Sequence, residues 1–384
     1  MTGADRLRAQ ALVARFPQEG APGGNGLWKV LQQAIADAVR AGEQDFLFAL
    51  HEACAAHPLL RGWPSQSSWR SAGLIPDAAA LRRFLERAKR PPSSEQPWGH
   101  PPRLADGPAR NLGAMLAYAH DDDLLERELE HFGPEPALRD LFACWLQERV
   151  VRGSLIGGSA FAEQFWRALP ATHPLAPLPL QVVPLEAGFV TVSPRRDDTL
   201  GNWFTFDRPA VHEPFELEGD WQTIAKEVPA QPALLAAVAS DPGTAPNSSY
   251  EGRVFQLDRR PPSLSSFALR SLSLECLGAH PARVKACTAR EVMGLLITLG
   301  TIGGAYGDAR SAAYGRLLAW RSLTALTGLP SGAPLAEVEA LAQRIDWLSF
   351  ESDSDWFNHV SLDVGLVALR ADASLAVVAM TDTD

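Results

Sequence analysis

Apolar residues recur at helical spacing between residues 27 and 57. Leu27, Val30, Leu31, Ile35 and Val39 form one stripe, Gly42 interrupts it, and Phe46, Leu47, Leu50 and Cys54 resume it. That spacing predicts an αα-hairpin whose second helix ends at Pro58. Asp77, directly after Pro76, has the short carboxylate of an N-cap, which predicts a helix running to Arg90. The proline-rich segment PPSSEQPWGHPP (91–102) then reads as a connector. Helical spacing returns over 109–132 and, past Pro134 and Pro136, over 137–151. The first 150 or so residues are expected to be entirely helical.

The pattern changes near residue 170. Pro174, Pro177, Pro179 and Pro184 interrupt any helix, and EAGFVTVSP (186–194) alternates as a strand does. Short strands are expected at 202–206 and 253–258, and a surface loop at 240–250, where Gly, Pro, Asp and Ser dominate. Helical patterns run over 288–299, 305–327 and 334–346. The chain closes on SLDVGLVALR, the turn ADAS, and LAVVAM, a β-hairpin with two apolar arms. The expected fold is α+β: a helical N-terminal array, then a mixed region with short strands, long helices and a C-terminal β-hairpin. Its expected domains are 1–170 and 171–384.

The 384 residues are 46% hydrophobic and 21% charged, the composition of a globular protein with no need of disulfides or metals to fold. Charges at Asp5, Arg6, Arg8 and Arg15 break up any leader-like apolar run, and no stretch is long and apolar enough to span a bilayer. A cytoplasmic protein without a membrane partner is the expectation. Cys54, Cys144, Cys276 and Cys287 fit no zinc spacing and read as buried free thiols.

The net charge of −10 is unevenly placed. From Glu337 onward, Glu337, Glu339, Asp346, Glu351, Asp353, Asp355, Asp363, Asp372, Asp382 and Asp384 face only Arg344 and Arg370. An acidic end of this kind disfavours nucleic acid, whose phosphates are held by basic groups, and suits a basic protein or a metal ion.

The phosphate-loop, dinucleotide-binding, zinc-protease and nucleophile-elbow signatures are absent from the sequence. In HEACAAH (51–57) the two histidines sit about 240° apart around a helix and cannot easily share an ion. His120-Asp121, in AHDDDLLERELEH, is the dipeptide of metal-dependent phosphohydrolases, although Asp121, Asp122 and Asp123 are explained as well by favourable charge at a helix start. No metal or other cofactor is expected.

The segment GTIGGAYGDARSAAYGRLLAWRSLTALTG (300–328) is the most distinctive. Tyr306 and Tyr314 stand about 80° apart on a helix, and Gly303, Gly304, Gly307 and Gly315 remove side-chain bulk, so that either a backbone or a ligand packs there. Tyr306, Asp308, Tyr314 and Arg316 are candidate binding residues for a pocket. At the other end Trp356 and His359, set among Asp353 and Asp355, are candidates for an interface in which an aromatic anchor is ringed by charge.

GGAYGDARSAAYGRLLAWRSLTALTG and DWFNHVSLDVGLVALR with LAVVAMTDTD resemble an uncharacterised family of proteins from high-GC bacteria, a domain of unknown function; the resemblance is confined to about the last 80 residues. It implies neither an activity nor catalytic residues. The expected function is protein binding through the acidic C-terminal surface, with immunity against a basic toxin as its concrete form. The alternatives are an enzyme or ligand-binding protein with a pocket near Gly303–Arg316, and a metal-dependent phosphohydrolase centred on His120-Asp121.

Overall fold

A computed structural model describes residues 2–17, 24–61, 63–89, 108–133, 135–154, 158–187, 216–239, 248–302, 311–357 and 363–382. The chain divides into two units. One is Met1–Val150 with Ser154–Leu169 and Arg195–Trp203; the other is Val151–Gly153 with Pro170–Pro194 and Phe204–Asp384.

The described part of the first unit is built of helices. α1 (Gly3–Val13) opens on a capping box in which the Thr2 side chain accepts from the Asp5 amide. α2 (Gly24–Arg40) and α3 (Gln44–Ala56) form the hairpin read from the stripe. Gly42 makes their turn at φ 70°, a left-handed conformation that disfavours any residue with a Cβ. α4 (Trp63–Ala72) precedes α5 (Ala78–Ala88), where Asp77 caps by accepting from the Ala80 amide at 2.8 Å. Buried Gln44 donates to the carbonyls of Ala72 and Ala80, so α3 is fixed to the end of α4 and the start of α5.

The helices expected over 109–132 are α6 (Pro108–Ala119) and α7 (Asp122–Phe132). Asp121 leaves the helical path to cap α7, accepting from the Leu124 amide at 2.8 Å. Arg149, on α8 (Arg139–Val151), holds this break: it pairs with Asp122 at 2.5 Å and donates to the carbonyls of Ala117 and His120. α9 (Ala160–Arg167) completes the set, around a core that includes Phe46, Leu81, Phe84, Leu116, Phe142 and Trp145.

The second unit holds a seven-stranded antiparallel sheet. Its strands are β1 (Glu216–Leu217), β2 (Ala225–Val228), β3 (Ser248–Leu257), β4 (Ala282–Cys287), β5 (Asp346–Ser352), β6 (Val364–Leu369) and β7 (Ser374–Asp382), in the order β1-β4-β5-β6-β7-β3-β2. The expected C-terminal hairpin is β6–β7, with Leu366 opposite Val378 and Leu369 opposite Leu375. It lies in the middle of the sheet. That is why LAVVAM reads as a continuous apolar run: every residue of β7 is buried, as a strand covered on both faces requires.

Leu375, Val377 and Ala379 point into one core with Phe255, Val284, Leu348, Phe350 and Val367, roofed by Phe267, Leu269 and Leu277 from the chain between β3 and β4. Ala376, Val378 and Met380, alternating with them, are equally buried on the other face.

Several boundaries differ from the sequence reading. The expected helix over 334–346 ends at Ala342, because Asp346 already belongs to β5. β3 begins at Ser248, inside the stretch expected to be a loop, since Ser248–Gln256 pair with Asp382–Ser374. Pro184–Glu186 is a single 3-10 turn capped by Ala187, and residues 188–194 of the expected strand, like the one at 202–206, lie outside the described residues.

Three helices accompany the sheet: α10 (Ala289–Ile302), α11 (Ala312–Thr327) and α12 (Leu335–Ala342). α10 and α11 approach through glycines. A Cβ on Gly300 would stand 2.8 Å from the Gly315 carbonyl oxygen, and one on Gly315 would stand 2.9 Å from the backbone of Thr301. α11 stops at Gly328, with φ 85°, and Arg370 in the β6–β7 turn donates to the carbonyls of Ala325 and Leu326 at its end.

Candidate functional site

The residues proposed for a pocket on α11 are differently employed. Arg316 has no exposed surface. Its Nε and Nη2 donate to the two carboxylate oxygens of Glu186 at 2.6 and 2.8 Å, and the remaining donors reach the carbonyls of Pro179 and Gln181. Trp320 adds an indole donor to Glu186 at 2.6 Å. The reading of Arg316 as a pocket residue is therefore corrected: it is a buried clamp holding the 179–186 segment to α11. Tyr314 is buried on the same helix, and Gly315 serves the crossing with α10. Tyr306, Asp308, Gly303, Gly304 and Gly307 lie outside the described residues.

At the His120-Asp121 dipeptide the ring Nε2 of buried His120 sits 2.8 Å from the Gly73 carbonyl, and Asp121 is the α7 cap. His51 Nδ1 lies 2.9 Å from both Ser65 oxygens, and His57 Nδ1 accepts from the Leu59 amide. Burial holds the pKa of both His51 and His120 below the ordinary value, against the raising effect of their backbone hydrogen bonds. Among the described residues no group of three or more His, Cys, Asp or Glu side chains could hold a metal ion.

The C-terminal acids are mostly engaged one by one. Asp346 pairs with Arg260 at 2.5 Å, while Glu351 and Asp353 share Arg283 at 3.2 and 2.9 Å. Glu339 accepts from the Leu185 amide, Asp372 caps the Ser374 turn, Asp363 accepts from the Thr381 hydroxyl, and Asp382 is buried. Of the described acids from Glu337 onward, Glu337, Asp346, Asp353, Asp355 and Asp372 are exposed, and two of these lie close together in the turn after β5. There Ser354 donates to the Cys276 carbonyl at 2.6 Å, which turns its neighbours Asp353 and Asp355 outward, both exposed. Trp356 follows half-buried, edge-on to Phe357 at 5.0 Å, and Phe357 is itself part of the sheet core. Asp355 has no cation within salt-bridge distance among the described residues. His359 lies outside them.

The sequence reading missed a groove in the helical unit. It has a volume of about 890 Å³ and is lined from α5 by Arg82, Arg83 and Arg87 and from α7 by Arg127, with Phe48 of α3 at its floor. Arg82 makes a two-pronged contact to Glu128, whose carboxylate is fully buried beneath it. Arg87 lies 4.0 Å over the Phe48 ring. Arg83 is exposed with no carboxylate in salt-bridge distance among the described residues, and the only partner of the Arg127 guanidinium there is the Asp123 carbonyl. RRFLER on α5 was legible as basic. That Arg127 joins it from another helix was not.

The model of a family of unknown function, DUF6183, matches residues 27–384, and the chain belongs to that family. The match covers both units and is not confined to the last 80 residues, as the pattern-level resemblance suggested. No curated protein and no solved structure matches the chain. No helix among the described residues is long and apolar enough to cross a membrane.

Proposed function

We propose that this DUF6183 protein is a cytoplasmic protein-binding protein whose partner is basic where it meets the turn after β5. The observation that supports this reading is the set Asp353, Asp355 and Trp356: a half-buried indole based on a core phenylalanine, directly following two exposed acids of the same turn, of which Asp353 pairs with Arg283 and Asp355 does not. Interfaces concentrate their energy in such anchored aromatics, and flanking acids steer a cationic partner and raise its association rate. An inhibitor of a basic toxin is one protein that would use such a surface.

The test is affinity purification of the full chain from its own organism beside the Asp355→Lys and Trp356→Ala variants. A basic protein that co-purifies stoichiometrically with the wild type and is lost from both variants supports the reading. An acidic partner, or a partner retained by both variants, removes it.

A further inference from the structure

We propose that the arginine groove of the helical unit is a second docking site, and that its ligand is an extended acidic segment of another protein. Four guanidinium groups border one opening: Arg82, Arg83 and Arg87 from α5 and Arg127 from α7. Arg82 pairs with Glu128 and Arg87 with Glu52, while the other two keep N–H donors for a ligand, since Arg83 meets no carboxylate among the described residues and Arg127 meets only a backbone carbonyl there. Guanidinium forks match carboxylates in pairs of parallel hydrogen bonds, so the chemistry of the site selects an anion.

The shape of the groove selects among anions. A second cavity, about 280 Å³, shares Glu86 with the first and is bordered by Lys89, His131, Phe132 and Glu135, with Lys89 paired to both Glu86 and Glu135. From Ala78 to Lys89 the track follows α5 for about 16 Å, at about 1.5 Å per residue. An extended peptide covers that length with about five residues. A lone phosphate would leave most of it empty.

A single-stranded nucleic acid fits the length but not the surface. Base stacking needs an open aromatic face, and here both faces are taken by cations: Arg87 covers Phe48, and Lys89 lies 4.8 Å over Phe132. Asp45 and Glu86 also line the groove. They would oppose the unbroken negative charge of a phosphate chain, whereas a peptide can place its carboxylates between them and its amides against them.

The test is fluorescence anisotropy on the full chain, with a labelled ten-residue peptide alternating Glu with Gly and Leu as the probe. A Lys-for-Glu version of the peptide, oligothymidylate and inorganic phosphate are the controls. The acidic peptide is expected to bind, and to weaken as salt rises. The Arg83→Glu/Arg127→Glu variant should lose about tenfold or more in affinity, because it reverses charge at two exposed positions that support no internal pair. The Glu86→Gln variant should bind a few-fold more tightly, a gain that misfolding cannot imitate. The proposal is overturned if the acidic peptide fails to bind, if the double variant binds it unchanged while melting as the wild type does, or if oligothymidylate binds more tightly. It is overturned equally if sedimentation shows the chain pairing with a second copy of itself through this face, a pairing that the double variant abolishes.

Discussion

The guanidinium of Arg316 and the carboxylate of Glu186, 130 positions apart in the chain, meet with both side chains wholly buried. Removing either partner leaves a charge in the protein interior. Arg316→Ala is expected to cost about 3 to 5 kcal/mol, far more than an exposed pair would. Arg316→Met with Glu186→Leu, which removes both charges, is expected to be much milder. Urea unfolding of the single and double variants gives the comparison; equal losses would mean that the pair itself, and not the orphaned charge, carries the effect.

The α10–α11 crossing makes a second prediction. Gly315→Ala places a methyl group against the Thr301 backbone, and the helices must separate to accept it. A loss of about 1 to 3 kcal/mol is expected from overpacking, opposite in sign to the gain alanine brings in a helix with open space around it. Thermal melts of Gly315→Ala decide the sign.

Stability should fall as the solution becomes mildly acidic. His51 and His120 have pKa values lowered by burial, so the unfolded chain binds their protons more tightly than the folded one. Their contribution is intact above the unfolded value of about 6.5 and is lost as pH falls from there to the lowered folded values. Urea midpoints measured from pH 7.5 to 5 should drop less steeply in a His51→Gln/His120→Gln variant than in the wild type. Parallel slopes would mean that other groups govern this range.

The thiols should differ in reactivity. Burial pushes Cys54 up to about 12, and Cys276 is raised as well, with Glu251 nearby adding to the effect. All four are free thiols; Cys54, Cys144 and Cys276 are buried as expected, whereas Cys287 is only partly so. Cys287 is therefore expected to be alkylated first by iodoacetamide at pH 8, with Cys54 and Cys276 protected until unfolding. Peptide mapping after brief labelling reads this directly; early modification of Cys54 would show that its helix opens.

What was legible in the sequence is whatever depends on neighbours along the chain. The stripe from Leu27 to Cys54 gave the α2–α3 hairpin, Asp77 gave the start of α5, and the two apolar arms gave β6–β7, because helical periodicity, capping and tight turns are set within a few residues. The same local logic allowed two roles for the Asp121 carboxylate, metal ligand and helix cap. Only its distance to the Leu124 amide assigns the cap.

The tertiary structure decided what depends on distant partners. β4 and β5 are segments of six and seven residues, too short for their local alternation to outweigh the helical patterns around them until β4 pairs with β5 and β5 with β6. The charge count from Glu337 onward could not tell that Arg260 and Arg283 come from elsewhere in the chain to pair with Asp346 and with Glu351 and Asp353 together. Arg316 read as a pocket residue because nothing near it in sequence announces Glu186. Arg83 and Arg127 lie on different helices, and nothing in their places along the chain shows that they border one groove. Electrostatics acts through space, so the sequence fixes which charges exist and the fold alone decides which of them meet.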